Sequence, residues 1–442
     1  MIWGRGRFHI EGFKRYLSNT GWLFFERIFT SGISLGVGIY VTRYLGPKDF
    51  GLLSYAISFV ALFSAITWLC HESVLIRDLL HDESQRDKLL GTALVLKGVG
   101  AFSAIVIISL LSVFTANDRL TNELIFFIAA ALIFQSLNVV DFYFQSKVLS
   151  KYAVYARCTA QMISAVIKVG LIYFHASVLC FAIVVSMESV LTAIGFAIAY
   201  RSQGLRMTQW KFKRGCAVSL LKDSWTLVLS GIAISVYMKI DQVMIKEMLG
   251  AEAVGIYAVA VNLCEVWYLV PMIICSSLFP AIVHARKNNY QLYLVGLQKL
   301  QDLFFVISFS IGLLVSISSS NIIHLLYGKG FEGAGPILAT YIWSGIFVFE
   351  GIITAQFLVV ENHQHLGLWV RVFSMFSKVG LNLLFIPKYG AVGSAIATLI
   401  AYSLPVYVGS LFHPLLRLNL LMRLKAFVFP VRLIYYGKGI YK

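Results

Sequence analysis

Seven basic residues, Arg27, Lys97, Arg157, Lys168, Lys239, Arg371 and Lys378, stand inside stretches otherwise apolar enough to cross a bilayer. A Lys or Arg near a bilayer centre costs roughly 2.5–3.5 kcal/mol on insertion scales, so it faces a cavity, a partner or a pathway. Acids in the same stretches, Glu26, Asp141, Glu188, Asp241, Glu265 and Glu350, are fewer. The surplus suits an anion, because Arg and Lys make strong charge-assisted bonds to phosphate oxygens. Spacing sharpens this. A helical residue turns about 100°, so separations of 7 and 11 return to nearly one face. Arg157, Gln161, Ser164 and Lys168 form one such stripe, and Arg371, Ser374, Lys378 and Asn382 form a second. Gln135, Asn138 and Gln145 add polarity in one further stretch, and Asn262 and Glu265 in another. Facing one another, these surfaces would line a wet cavity between the two halves of the chain. The competing reading is that the cations pair with the buried acids, or, for Lys97 and Arg157 near their span ends, reach to the interface. Glu26 beside Arg27 reads as a local charge partner or a proton carrier. Asp241, two residues from Lys239 and so on a different face, reads as a counter-charge or a coupling-cation site.

The elements that must carry these residues are transmembrane helices. The chain is 59% hydrophobic and 13% charged, with mean hydropathy +0.79, a composition of integral membrane proteins. Apolar runs of about 20 residues cross a ~30 Å hydrocarbon core as helices. Twelve are predicted: 21–42, 51–70, 89–114, 123–145, 152–174, 178–200, 224–246, 253–283, 298–319, 336–360, 366–387 and 390–412. The ten-residue alternation of a β-barrel is missing. Pro271 predicts a kink or tilt in the eighth run. Roughly two dozen of the 37 basic residues fall in loops and tails on the N-terminal side, and far fewer on the other, so the positive-inside rule places both termini in the cytoplasm. The net charge of +16 is thus mostly topology plus a cavity, and nucleic-acid binding is not expected. The basic, amphipathic start without a small-residue cleavage site reads as a retained cytoplasmic segment. The six cysteines show no metal-ligand or redox spacing and read as packing residues.

The longest basic connector separates two halves. The expected organisation is a cytoplasmic segment 1–20, an N-lobe 21–200 of six spans, a basic linker 201–223 acting as hinge, a C-lobe 224–412 of six spans, and a basic cytoplasmic tail 413–442. Leu45-Gly46 with Gly51, after the first span, matches Leu249-Gly250 with Gly255, after the seventh. Lys168-Val169-Gly170-Leu171 in the fifth span matches Lys378-Val379-Gly380-Leu381 in the eleventh. Two parallel six-span repeats are a transporter architecture. No phosphate-binding Gly-Lys-Ser/Thr loop or HExxH helix occurs. His363-Gln364-His365 has the wrong helical spacing for one face and reads as a loop, and Gly328-Lys329-Gly330 reads as a turn. The expected protein is a secondary transporter, not an enzyme, with no organic cofactor and no metal centre.

Glu26-Arg27, Arg43-Tyr44-Leu45-Gly46-Pro47 with Phe50-Gly51, and Lys239-Ile240-Asp241-Gln242 resemble the polysaccharide transporter family. So do Val254-Gly255-Ile256-Tyr257, Glu265 with Trp267-Tyr268, Phe279-Pro280-Ala281 and the stretch Tyr389-Gly390-Ala391-Val392-Gly393-Ser394-Ala395. This is the O-antigen, or lipid-linked oligosaccharide, flippase group of the multidrug/oligosaccharidyl-lipid/polysaccharide (MOP) superfamily. The resemblance covers nearly the whole chain. It implies an all-α, twelve-helix, two-lobed, V-shaped MATE-like fold in the bacterial inner membrane. It also implies an undecaprenyl-pyrophosphate-linked sugar unit as substrate, moved from the cytoplasmic to the periplasmic leaflet, with the polysaccharide polymerase and chain-length machinery as further partners. In sodium-coupled relatives an Asp of the seventh span works with polar groups of the eleventh and twelfth; Asp241, Asn382 and Thr398 match them. A second acid expected four residues after the Asn is replaced by Ile386, which leaves the coupling ion open between Na+ and H+, the latter through Glu26 or Asp241. The alternatives are a multidrug cation antiporter on the same fold, whose cavity acids should dominate, a lipid II flippase, and a scaffold for glycosyltransferases and the polymerase, which has no need of inward charged stripes.

Overall fold

The computed structural model describes residues 4–115 and 117–429, with side chains from Ser18 onward except those of Pro280 and Val406. The side chains of Arg5, Arg7, Lys14 and Arg15, and residues 430–442 of the expected tail, lie outside the described residues. Among the described residues every regular element is helical, as the unbroken apolar runs require, because in lipid only intra-helix bonding satisfies each backbone group. Among the described residues, nine helical stretches are long and apolar enough to span. Two of these, Ser18–His81 and Gln364–Phe412, each enclose two predicted spans, and the predicted span 152–174 falls outside the nine. The protein is a multi-pass membrane protein.

Contacts divide the chain into two compact units, Met1–Lys239 and Ile240–Lys442. The first holds α1 (Gly4–Ser64), α2 (Glu72–His81), α3 (Arg86–Phe114), α4 (Arg119–Phe134), α5 (Val139–Ser146), α6 (Lys151–Tyr173), α7 (Val178–Ser202) and α8 (Arg214–Leu249) as far as Lys239. One core joins Leu75 and Leu79 of α2, Leu89, Leu90 and Ala93 of α3, Phe142 and Phe144 of α5, Phe196 and Tyr200 of α7, and Ala217 and Leu220 of α8. The basic connector 201–223, expected as a hinge, lies wholly within this unit, and from Arg214 onward it is already helix. Its irregular part is strapped to α3: the Lys211 N–H donates to Asp87 O at 3.1 Å, and the Lys213 N–H to the Thr92 hydroxyl at 3.0 Å. Gly91 permits this approach, since a Cβ there would stand 2.6 Å from the Lys211 nitrogen.

The second unit continues α8 from Ile240 and adds α9 (Ala251–Val266), α10 (Leu269–Asn288), α11 (Tyr290–Tyr327), α12 (Ala334–Tyr341), α13 (Ser344–Val360), α14 (Gln364–Phe412) and α15 (Pro414–Phe427). The eighth predicted run breaks at Trp267-Tyr268, which puts Pro271 in the first turn of α10, where a missing N–H is harmless. Residues 414–427, expected within the basic tail, form α15, whose Leu416 and Met422 join Phe304, Phe349 and Phe357 in the unit's core.

Glycine makes the tightest joints. Gly46 interrupts α1 at φ 71, ψ 176, and Gly250, its repeat partner, separates α8 from α9 at φ 91, ψ 174. Positive φ with ψ near 180° belongs essentially to glycine. Nothing crowds either position, so the constraint is conformational. The repeated Leu-Gly therefore encodes the same one-residue reversal in each unit. Tyr44, two residues before Gly46, fixes the turn by donating its hydroxyl to Ala176 O at 2.9 Å.

Candidate functional site

In the first unit the polar stripe of α6 faces α1 and α7. Arg157 bridges two acids: its Nε lies 2.5 Å from Glu26 Oε1 and its Nη1 2.6 Å from Asp141 Oδ2. Gln145 donates to the same Asp141 oxygen at 3.1 Å, and the guanidinium sits 5.8 Å from the Phe196 ring. One turn on, Gln161 donates to Thr30 O at 2.9 Å and to the Ser34 hydroxyl at 2.7 Å. Ser164 donates to Glu188 of α7 at 2.7 Å, and Lys168 Nζ lies 3.4 Å from the same oxygen. The 157/161/164/168 stripe is thus one face, as its spacing predicts, but α1, α5 and α7 supply its partners.

Beside this stripe is a cavity of about 190 Å³ inside the first unit, lined by Ser34, Gly38, Val41, Gln161, Lys168 and Phe181 among others. Ser34 and Arg27 are seven apart on α1 and so share a face, and Arg27 is exposed. Lys97 does not reach to an interface: it is buried, with Nζ 5.1 Å from the Phe142 ring centroid, a cation–π distance.

The second unit holds a smaller, sealed cluster. Asp241 on α8 is ion-paired with Lys378 Nζ on α14 at 2.7 Å and accepts from the Tyr257 hydroxyl of α9 at 2.6 Å. Thr398 Oγ1 lies 3.4 Å from the same carboxylate and 3.0 Å from Ser394 O. The Tyr402 ring centroid is 5.2 Å from the ammonium. Asn382, one turn beyond Lys378, is fully buried with neither end of its amide hydrogen-bonded, and Ile386 one turn further is fully buried too. The structure therefore gathers Asp241, Lys378 and Thr398 around one carboxylate, with Asn382 adjacent along α14. Lys239 and Arg371 are half-buried and stand outside this carboxylate's contacts described above. Glu265 is half-buried, and Asn262, three residues before it, is exposed.

A third buried cluster was not legible in the spacing. Arg423 of α15 lies 3.3 Å from Glu350 Oε2 of α13, receives further support from Asn419 at 3.0 Å, and bonds the Thr354 hydroxyl at 2.5 Å. Burial pushes the Arg423 guanidinium below its ordinary value, with Glu350 opposing the shift. The signal available was Glu350, an intramembrane acid without a basic residue on its own helix. Its partner reads from sequence as one more cation of a basic tail.

Comparison with known proteins fits this geometry. Residues 16–285 match the family described as "Polysaccharide biosynthesis protein". The chain is 23% identical over 220 residues to the "Probable low-salt glycan biosynthesis flippase Agl15" of Haloferax volcanii, a match spanning 49% of this chain and 45% of that relative. Among solved structures it is similar to an inward-facing multidrug resistance MATE transporter of the MOP superfamily, with TM-score 0.73 at 16% identity, covering 90% of this chain and 94% of that one. It is also similar to the lipid II flippase MurJ in an inward closed conformation, with TM-score 0.68 at 15% identity, covering 96% and 94%. The fold is the one shared by these MOP-superfamily structures. With the family match running over more than half of its length, the chain belongs to the polysaccharide biosynthesis protein family.

Proposed function

We propose that this protein is a flippase for a lipid-linked oligosaccharide, an undecaprenyl-pyrophosphate-linked unit of O-antigen or a related surface polysaccharide. It carries the unit from the cytoplasmic to the periplasmic leaflet of the bacterial inner membrane, with both termini in the cytoplasm. The observation that carries the reading is the first-unit cavity. It is lined by a cation, Lys168, with hydrogen-bonding Gln161 and Ser34, and approached along α1 by Arg27. At about 190 Å³ it is smaller than the ~300–1,000 Å³ of whole-ligand pockets, so it suits a phosphate group with the sugars and prenyl chain outside. Lys168 offers three donors and keeps Glu188 at 3.4 Å, longer than a tight ion pair, which leaves it able to turn to a phosphate. Lys378 is not a comparable anion ligand, because it is sealed against Asp241.

Transport on this reading draws on an ion gradient. Glu26 and Asp241 are the carboxylates placed to respond to it, each held by a cation, Arg157 and Lys378 respectively. Neutralising either acid loosens its pair and frees the helices it ties, which is how a local charge change biases a two-state element.

The test is translocation of undecaprenyl-pyrophosphate-linked sugar in proteoliposomes, comparing wild type with Lys168→Ala and Lys168→Arg at matched protein levels. Transport lost in the alanine variant and largely kept in the arginine variant supports the reading. Transport of lipid II alone reassigns the substrate. Efflux of organic cations without any lipid translocation replaces the reading with a drug antiporter.

A further inference from the structure

We infer that the Lys378 ammonium is a tethered cation that fills the place a free monovalent metal ion would take on Asp241, so that this site excludes Na+. The inference deepens the proposed ion-coupled transport, but its test reads ion binding and stands apart from any glycan lipid.

The second unit assembles a set of oxygens suited to a hard cation: the Asp241 carboxylate, the Tyr257 and Thr398 hydroxyls close to it, and the Asn382 amide one turn from Lys378. A sodium ion does not fit this set as it stands. The ammonium already lies 2.7 Å from Oδ1, with side-chain exposures of 0% and 3% for the pair. One carboxylate balances one positive charge, and buried Ile386 supplies no second acid beyond Asn382. Adding Na+ would leave an uncompensated charge in a sealed region, where desolvation is not repaid. The Asn382 amide is fully buried and unmatched. Buried amides are normally satisfied, and this one is left over when a tethered ammonium replaces an ion with several oxygen ligands. Removing Lys378 reverses the situation: Asp241 becomes a buried anion amid oxygen donors, with room where the lysine stem ran.

The experiment is thermal unfolding of the full-length protein in detergent, titrating NaCl from 1 to 100 mM with choline chloride holding ionic strength constant. Wild type is expected to show no sodium-specific change. Lys378→Ala is expected to gain a rise of about 2–4 °C over that range, lost again in Asp241→Asn/Lys378→Ala. Lys378→Met, which retains more of the stem's volume, serves if the alanine variant is poorly folded. Should neither fold in choline, recovery of folded protein by purification in NaCl supports the inference, and failure in both salts overturns it. Sodium stabilisation of wild type that Asp241→Asn abolishes also overturns it, as do folded Lys378 variants that ignore sodium.

Discussion

Lys168 and Lys378 occupy equivalent places in the internal repeat, each opening the same Lys-Val-Gly-Leu, yet their surroundings have diverged. Lys168 keeps 24% of its side chain exposed, shares Glu188 with Ser164, and borders a cavity. Lys378 is wholly enclosed, with the Asp241 carboxylate at 2.7 Å. An ammonium in a closed, low-dielectric site is tolerable only with a close counter-charge, whereas a partly hydrated one can exchange partners at little cost. One residue type in equivalent elements thus stands loosely paired beside a cavity in the first unit and as a fixed internal counter-ion in the second. Burial, not residue identity, makes the difference.

The comparison can be broken most forcefully in the second unit. Lys378→Ala strands the Asp241 carboxylate and is expected to destabilise the protein by about 3–5 kcal/mol, read as a fall in Tm in sodium-free buffer. Asp241→Asn/Lys378→Met removes both charges and should cost clearly less than the two single changes added together. Additivity would mean the pair does not act as a unit. Next in size comes Arg157→Ala, which leaves Glu26 and Asp141 facing each other. Because the guanidinium is 26% exposed, water relieves part of the repulsion, and a loss of about 2–3 kcal/mol is expected by the same unfolding assay.

Gly46→Ala and Gly250→Ala test whether the repeat is as symmetric in backbone as it is asymmetric in charge. Each forces a Cβ into a conformation reserved for glycine, so each should cost about 1–3 kcal/mol, and the two values should agree within roughly 0.5 kcal/mol. Unequal values would show that one turn relaxes. The smallest stability effect belongs to Lys168→Ala, below about 1 kcal/mol for a loosely held, partly exposed pair. Its transport defect is nonetheless expected to be the largest of the set, and large destabilisation without transport loss would reverse the roles given to the two lysines.

Periodicity made much of this legible. Helical spacing put Arg157, Gln161, Ser164 and Lys168 on one face, and the repeated Leu-Gly marked both glycine turns. A stripe reveals which residues look the same way but not which neighbour they meet, so Glu188 on α7 and Glu26 on α1 could not be matched to their cations beforehand. Hydropathy also missed the interruptions at Gln135–Asn138 and at Trp267-Tyr268, since a change of helical pitch alters no side chain's polarity. The apolar run 224–246 is shorter than α8, which starts at Arg214, because Arg and Lys are good helix formers that end an apolar run. Arg423 was lost for the same reason.

The enclosed Glu350–Arg423 pair also sets an order of events during synthesis. Arg423 follows Glu350 by 73 residues, which at about 5–20 residues per second is roughly 4–15 s of translation. For that interval α13 sits in the membrane with an acid whose guanidinium partner has not been made. The second unit therefore locks late, when its last described helix arrives, and a ribosome stalled before Arg423 exposes an unpaired intramembrane carboxylate for the cell's degradation machinery to find.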